Sequence, residues 1–316
     1  MSTIEKALGS LHRKEQDDVP DTVERATASR TDAQQDTPPV GASDGKPLVE
    51  IPFEVLQARG FMSPSVPRST IAEEFRGIKR PLLKNIATGS VKSENPNLVM
   101  VTSALQGDGK TYTSINLALS IAMEQDKTVL FVDADVLKAT AGRLLGVPSH
   151  TPGLIDLLGK GGVEPRDVIL RTNMPKLRIL PAGSPSEHAT ELLASDNMHQ
   201  LMLELARRYP DRVIVFDSPP LLLTSEAGVL ASFMGQIVFV ASSGVTAQGA
   251  VQRALEHIGP DKMVGVVLNR APRRRFNLFG MGYGYGYGYG YGYGHGYGQG
   301  EREGDQQQPP QPETVR

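Results

Sequence analysis

Cysteine is absent from all 316 residues, so neither a disulfide framework nor a thiolate metal site can exist. Long apolar runs are absent too: no stretch approaches the roughly 20 residues that span a bilayer. The first 16 residues are interrupted by Glu5, Lys6, His12, Arg13, Lys14 and Glu15, which does not fit a secretory leader. The formal net charge of −2 gives no global reason to expect a nucleic-acid partner. The six histidines show no metal-ligand spacing. These absences lead us to expect a cytoplasmic protein whose membrane contact runs through a partner. Hydrophobic residues still make up 39% of the chain, enough for a real core.

Residues 1–16 carry one short helical pattern, with Ser2 as cap, Glu5 three residues on, and Ile4, Leu8 and Leu11 on one face. It reads equally as a docking helix or a frayed terminus. Residues 17–48 are rich in Asp, Thr, Gln, Pro and Ser, lack apolar periodicity and read as a disordered linker. Residues 49–275 form the expected folded domain. A helix is expected from Ile71 to Ile86, kinked or divided by Pro81. From Asn97 onward, short β-branched runs alternate with helical stretches. The expected strands are Leu98–Thr102, Thr128–Asp133, Leu177–Pro181, Val213–Asp217, Gln236–Ala241 and Val264–Asn269. Several are apolar on both faces, as in a buried parallel sheet. The class is therefore α/β, doubly wound and mainly parallel, of the P-loop NTPase type.

Residues 104 to 111 read Ala-Leu-Gln-Gly-Asp-Gly-Lys-Thr, the spacing of a P-loop with Ala104 in the first glycine's place. A strand precedes the run and a helical stretch, Tyr112 to Met123, follows it. The residues Gly107, Asp108, Gly109, Lys110, Thr111 and Tyr112 form the expected ATP-binding run. Glycine lets backbone N–H groups face a phosphate without a Cβ in the way. The helix N-terminus adds partial positive charge. Lys110 can reach the β- and γ-phosphates, and the Thr111 hydroxyl can ligate Mg²⁺. Two further strands end in acids, Val129-Leu-Phe-Val-Asp133-Ala-Asp135 and Val213-Ile-Val-Phe-Asp217-Ser-Pro-Pro220. Ligand sites in such sheets lie at the carboxyl ends of the strands, so Asp133, Asp135 and Asp217 are expected to converge beside the loop. A metal-bound triphosphate needs oxygen ligands and a base near the nucleophile.

A tail of quite different composition closes the chain, spanning residues 276–316 after a basic knot of Arg273, Arg274 and Arg275. Tyr283, Tyr285, Tyr287, Tyr289, Tyr291, Tyr293 and Tyr297 alternate with glycine and hold seven of the nine tyrosines. This composition cannot build a core and reads as disordered. An extended Tyr–Gly repeat offers a row of phenols separated by residues without side chains. A flexible linker from Asn269 to Tyr283 averages roughly 20 Å, enough to reach an ATP site in the same subunit or a neighbour.

The P-loop, the Asp-x-Asp strand end, the Asp-x-x-Pro strand end and the tyrosine cluster, in this order, resemble the bacterial tyrosine kinases over about residues 69 to 297. Within that family the likeness is greatest to tyrosine autokinases linked to exosortase and exopolysaccharide loci. It rests on Ser2-Thr-Ile-Glu-Lys-Ala, on Glu73-Glu-Phe-Arg-Gly-Ile-Lys-Arg-Pro-Leu-Leu and on the tail. The resemblance implies that Lys110 is catalytic, that Thr111, Asp135 and Asp217 organise Mg²⁺, and that Asp133 accepts the tyrosine proton. It implies the seven tail tyrosines as phosphoacceptors, preferably in trans. Glu73, Arg76 and Lys79 match the family's oligomerisation motif, with Lys79 in the place of an arginine and lacking its bidentate fork; an exposed charged helix is the plainer reading. The implied partners are further copies of the chain, a separate membrane co-polymerase that activates it at the inner membrane, and a phosphotyrosine phosphatase. Leu137 stands where the family often carries arginine, with Lys138 next to it. The rival readings are a partition-type ATPase, disfavoured by Leu105 where those proteins carry a signature lysine, and a non-catalytic nucleotide-dependent scaffold.

Overall fold

The computed structural model describes residues 48–89, 95–159, 161–208 and 211–272. The segment of the expected N-terminal helix, most of the expected linker, the basic knot and the tyrosine cluster lie outside them. The described fold, up to Arg270, belongs to one compact unit.

Seven strands form one sheet in the order β3-β4-β2-β5-β1-β6-β7. They are β1 (Leu98–Ser103), β2 (Thr128–Asp133), β3 (Leu170–Arg171), β4 (Leu177–Leu180), β5 (Arg212–Asp217), β6 (Gln236–Ser242) and β7 (Met263–Asn269). All pair in parallel except β3, a two-residue antiparallel edge strand that the sequence reading did not anticipate. Strands β1 and β6 are buried along their whole length, because helices cover both faces.

Alternation splits the core in two. Leu98, Met100, Leu130, Val132, Ile214 and Phe216 face one layer of helices. That layer includes α8 (Asp196–Arg208) and α9 (Ser225–Phe233). Val99, Val101, Phe131, Val213, Val215 and Val240 face the other. There α3 (Lys110–Ala122) packs against the sheet, with α1 (Phe53–Ala58) and α2 (Thr70–Thr88) joining the same apolar cluster. No helix among the described residues is long and apolar enough to cross a membrane.

Helix α2 runs 19 residues through Pro81 without dividing; of the kink or division expected there, the division does not occur. The Ser69 hydroxyl caps it by accepting from Ala72 N at 3.3 Å. Phe75 and Leu82 bury one face, which offsets the hydrogen bond that proline forfeits.

Lys79 lies on that buried face. Its Nζ donates to Ser120 O at 2.7 Å and pairs with Glu124 at 2.6 Å. The expected exposed charged helix is corrected at this position: Lys79 is 6% exposed and holds α2 onto α3. Glu73 and Arg76 pair with each other on the outer surface, so the three charges do not form one patch. Lys79→Ala is expected to cost about 1–3 kcal/mol, because a buried carbonyl loses a charged donor. Thermal or urea unfolding of the variant measures it; unchanged stability would contradict the internal role.

Candidate active site

The register of the sheet brings the sequence-distant acids together. Asp133 of β2 sits directly opposite Asp217 of β5, and Asp217 opposite Val101 of β1. The loop after β1 therefore opens beside both carboxylates. It runs from Ala104 into α3, with Gly107 at φ 89° and Gly109 at φ 100°. At Gly109 a side chain has no room: a Cβ would lie 2.0 Å from the Asn269 amide nitrogen. Positive φ and this close approach both require glycine.

Asp108 braces the loop from within. Its carboxylate accepts from Leu105 N at 3.0 Å and from the Thr246 hydroxyl at 2.7 Å. Thr246 in turn accepts from Ser242 N at 2.8 Å. The Asn269 amide donates to Asp108 O at 2.9 Å. Loop, β6 end and β7 end are thus clasped together. The Asp108 side chain serves this clasp, leaving its backbone N–H as what it can offer a phosphate. Tyr112 turns to the protein as well: its hydroxyl donates to Gly60 O at 3.0 Å, and its ring packs on Phe61 and Phe75. Both of these expected nucleotide contacts thus have their side chains engaged within the protein. Thr246 escaped the sequence reading, since a threonine after a strand carries no distinguishing signal. Asn269 at the end of β7 is engaged by the phosphate loop.

Lys110 donates to Asp135 at 2.7 Å, with both side chains buried. Asp133 accepts from Gly142 N at 2.9 Å through one oxygen. Its other oxygen, and both oxygens of Asp217, are buried without a protein partner. Burial and the neighbouring Asp217 push the Asp133 carboxyl up to about 8. Burial also raises Asp217, to about 6; the Lys110 charge and the nearby Thr111 and Ser114 hydroxyls restrain that rise. Orphaned carboxylate oxygens beside a threonine hydroxyl suit a hard cation. No preformed cage of three metal-ligating side chains exists among the described residues. That fits Mg²⁺, which keeps several waters and takes phosphate oxygens along with one or two carboxylates.

A cavity of about 200 Å³ opens on the other side of Asp133, lined by Gly142, Val147, Ala182 and, at its outer part, Lys138, Arg143 and His150. Leu137 lies exposed nearby and adds no charge.

The family described as an AAA domain matches residues 97–258. The tyrosine-protein kinase YwqD of Bacillus subtilis is 31% identical over 225 residues, covering 70% of this chain and 90% of that protein. Among solved structures, the chimerical protein CapA2B2 superposes with a TM-score of 0.58 at 29% identity, covering 72% of this chain and 96% of the other. The kinase domain of Escherichia coli tyrosine kinase ETK gives a TM-score of 0.55 at 27% identity, covering 77% and 96% respectively.

Proposed function

The chain belongs to the bacterial tyrosine-protein kinases, which use ATP with Mg²⁺, and from that premise we propose that it phosphorylates the tyrosines of its own C-terminal cluster, preferably on a neighbouring copy. The observation that carries this reading is the acid and lysine cluster at the strand ends, combined with a tyrosine tail that leaves the chain soon after β7. In the transfer, a tail phenol oxygen bonds to the γ-phosphorus of ATP. The bond from that phosphorus to the β,γ-bridging oxygen breaks, and ADP leaves. The phenolic proton passes to Asp133, which accepts it as the ionised carboxylate.

Lys110 exchanges Asp135 for the β- and γ-phosphates when nucleotide enters. Thr111, Asp217 and the released Asp135 would hold Mg²⁺, and the bound ion would supply positive charge to offset that of the phosphates. Backbone N–H groups at Gly107 to Lys110 cradle the phosphate oxygens.

Full modification of seven tyrosines would add roughly −10 to −14 charges. Neighbouring tails then repel, and the oligomer loosens. Cycling between the two states, driven in reverse by a phosphatase, regulates exopolysaccharide synthesis or export through a separate membrane activator. The decisive experiment is phosphosite mapping by mass spectrometry on protein recovered from its native cells. Phosphate on several of Tyr283 to Tyr297 is expected. An unmodified tail while polysaccharide is being made would replace this reading with an ATP-dependent scaffold.

A further inference from the structure

The cavity beside Asp133 is more cationic than delivery of a neutral phenol requires. Lys138, Arg143 and His150 line its outer part, and all three are exposed. None of them pairs with a carboxylate among the described residues. The only acid in the lining is Asp133 itself, at the inner end. The backbone here is also unusual: Ala139 (φ 43°) and His150 (φ 62°) both lie in the left-handed region and both border the cavity. Such conformations are disfavoured for residues with a Cβ, and they cluster where a site is held in a set shape.

A phenol needs shape and one proton acceptor. An aryl phosphate needs cations, and arginine's planar fork matches its oxygens in pairs. We propose that Lys138, Arg143 and His150 form a phosphotyrosine subsite that holds an already modified tail tyrosine while another is presented to Asp133. The inference rests on reading the tail as substrate. The tail's spacing suits it: in an extended chain, alternate residues point the same way and lie about 7 Å apart. The repeat therefore sets an unmodified phenol beside each modified one, in any register. The first phosphate is then added slowly and the following ones faster, so that molecules carry either none or several.

The test uses the full-length, dephosphorylated protein saturated with Mg²⁺ and ADP, so that the P-loop is filled and cannot capture the probe. Fluorescent heptapeptides of sequence Gly-Tyr-Gly-Tyr-Gly-Tyr-Gly, with the central tyrosine unmodified or phosphorylated, are titrated by anisotropy. The phosphorylated peptide is expected to bind at least about tenfold more tightly, as charge-assisted hydrogen bonds to the phosphate are added. Combining Lys138→Gln with Arg143→Gln is expected to erase the difference. Equal affinity for the two peptides overturns the proposal, as does a preference that survives the double substitution. Displacement of the phosphopeptide by inorganic phosphate as effectively as by phenyl phosphate also overturns it, since that marks a general anion patch. The readout is separate from catalysis. If the tail is phosphorylated in cells but the peptides bind alike, the subsite alone fails. If the preference is present but the tail is never modified, the substrate reading fails and takes with it the tail as the subsite's ligand.

Discussion

Lys110→Met is expected to reduce tail phosphorylation by about a hundredfold or more, because the transferring phosphates lose a preorganised cation in a buried site. It should also lower thermal stability. Lys110 is the charge partner of Asp135 inside the protein, and breaking a buried pair from one side typically costs about 3–5 kcal/mol. The double variant Lys110→Met with Asp135→Asn separates the two roles. It should regain most of the lost melting temperature and none of the activity. Thermal scans beside phosphotyrosine quantification read both effects. A double variant that phosphorylates its tail normally would remove Lys110 from the mechanism.

Asp133→Asn is expected to act with the opposite sign on stability. Burial and Asp217 raise this carboxyl from 3.8 to about 8. The folded protein therefore keeps a proton that the unfolded chain releases near pH 4. Stability conferred below that point is lost as pH rises toward the folded value, by up to about 1.4 kcal/mol per pH unit for each proton. Asp217, raised to about 6, contributes in the same direction over the lower part of the window. Free of metal and nucleotide, the wild type should melt at progressively lower temperature between pH 5 and pH 8. Asparagine removes the carboxylate while its side-chain oxygen still accepts from Gly142. The variant should be more stable than wild type at pH 8, with a flatter profile between pH 6 and pH 8. Phosphotransfer should fall by about 10²–10⁴-fold with loss of the base. A variant less stable at pH 8, or one that retains activity, would contradict the assigned environment or the assigned role.

Much of this site was legible because its parts are local. The glycines and lysine of the loop follow an apolar run and open a helix, and each acid terminates its own run of β-branched and aromatic residues. Position in a parallel sheet then placed the acids at one edge, although Asp133 and Asp217 are far apart in sequence. What could not be read was the direction in which side chains turn once packed. Asp108 and Tyr112 lie in the P-loop and the first turn of the helix after it, yet their side chains are committed to Thr246 and Gly60. Lys79 looks like a surface charge by composition, but the helix phase set by Phe75 and Leu82 carries it inward to Ser120 and Glu124. Strand β3 is two residues long, too short for any periodicity to register. Lys138 and His150 reach the cavity from turns and Arg143 from a five-residue helix, segments too short to carry a pattern of their own. Pro81 was read too strictly: its cost is real, but a helix with one well-buried face tolerates it.

The bond from Asn269 to Asp108 joins residues 161 positions apart, and this fixes an order of events at the ribosome. The phosphate loop is translated early, and its clasp cannot close until β7 has been made and has emerged. At typical bacterial elongation rates that interval is roughly 10 to 30 s. A nascent chain thus carries the loop's sequence long before it can carry the finished loop. The last strand needed to lock the loop also lies shortly before the tyrosine repeat in the sequence, so the closing of the clasp and the synthesis of the proposed acceptors fall close together in time.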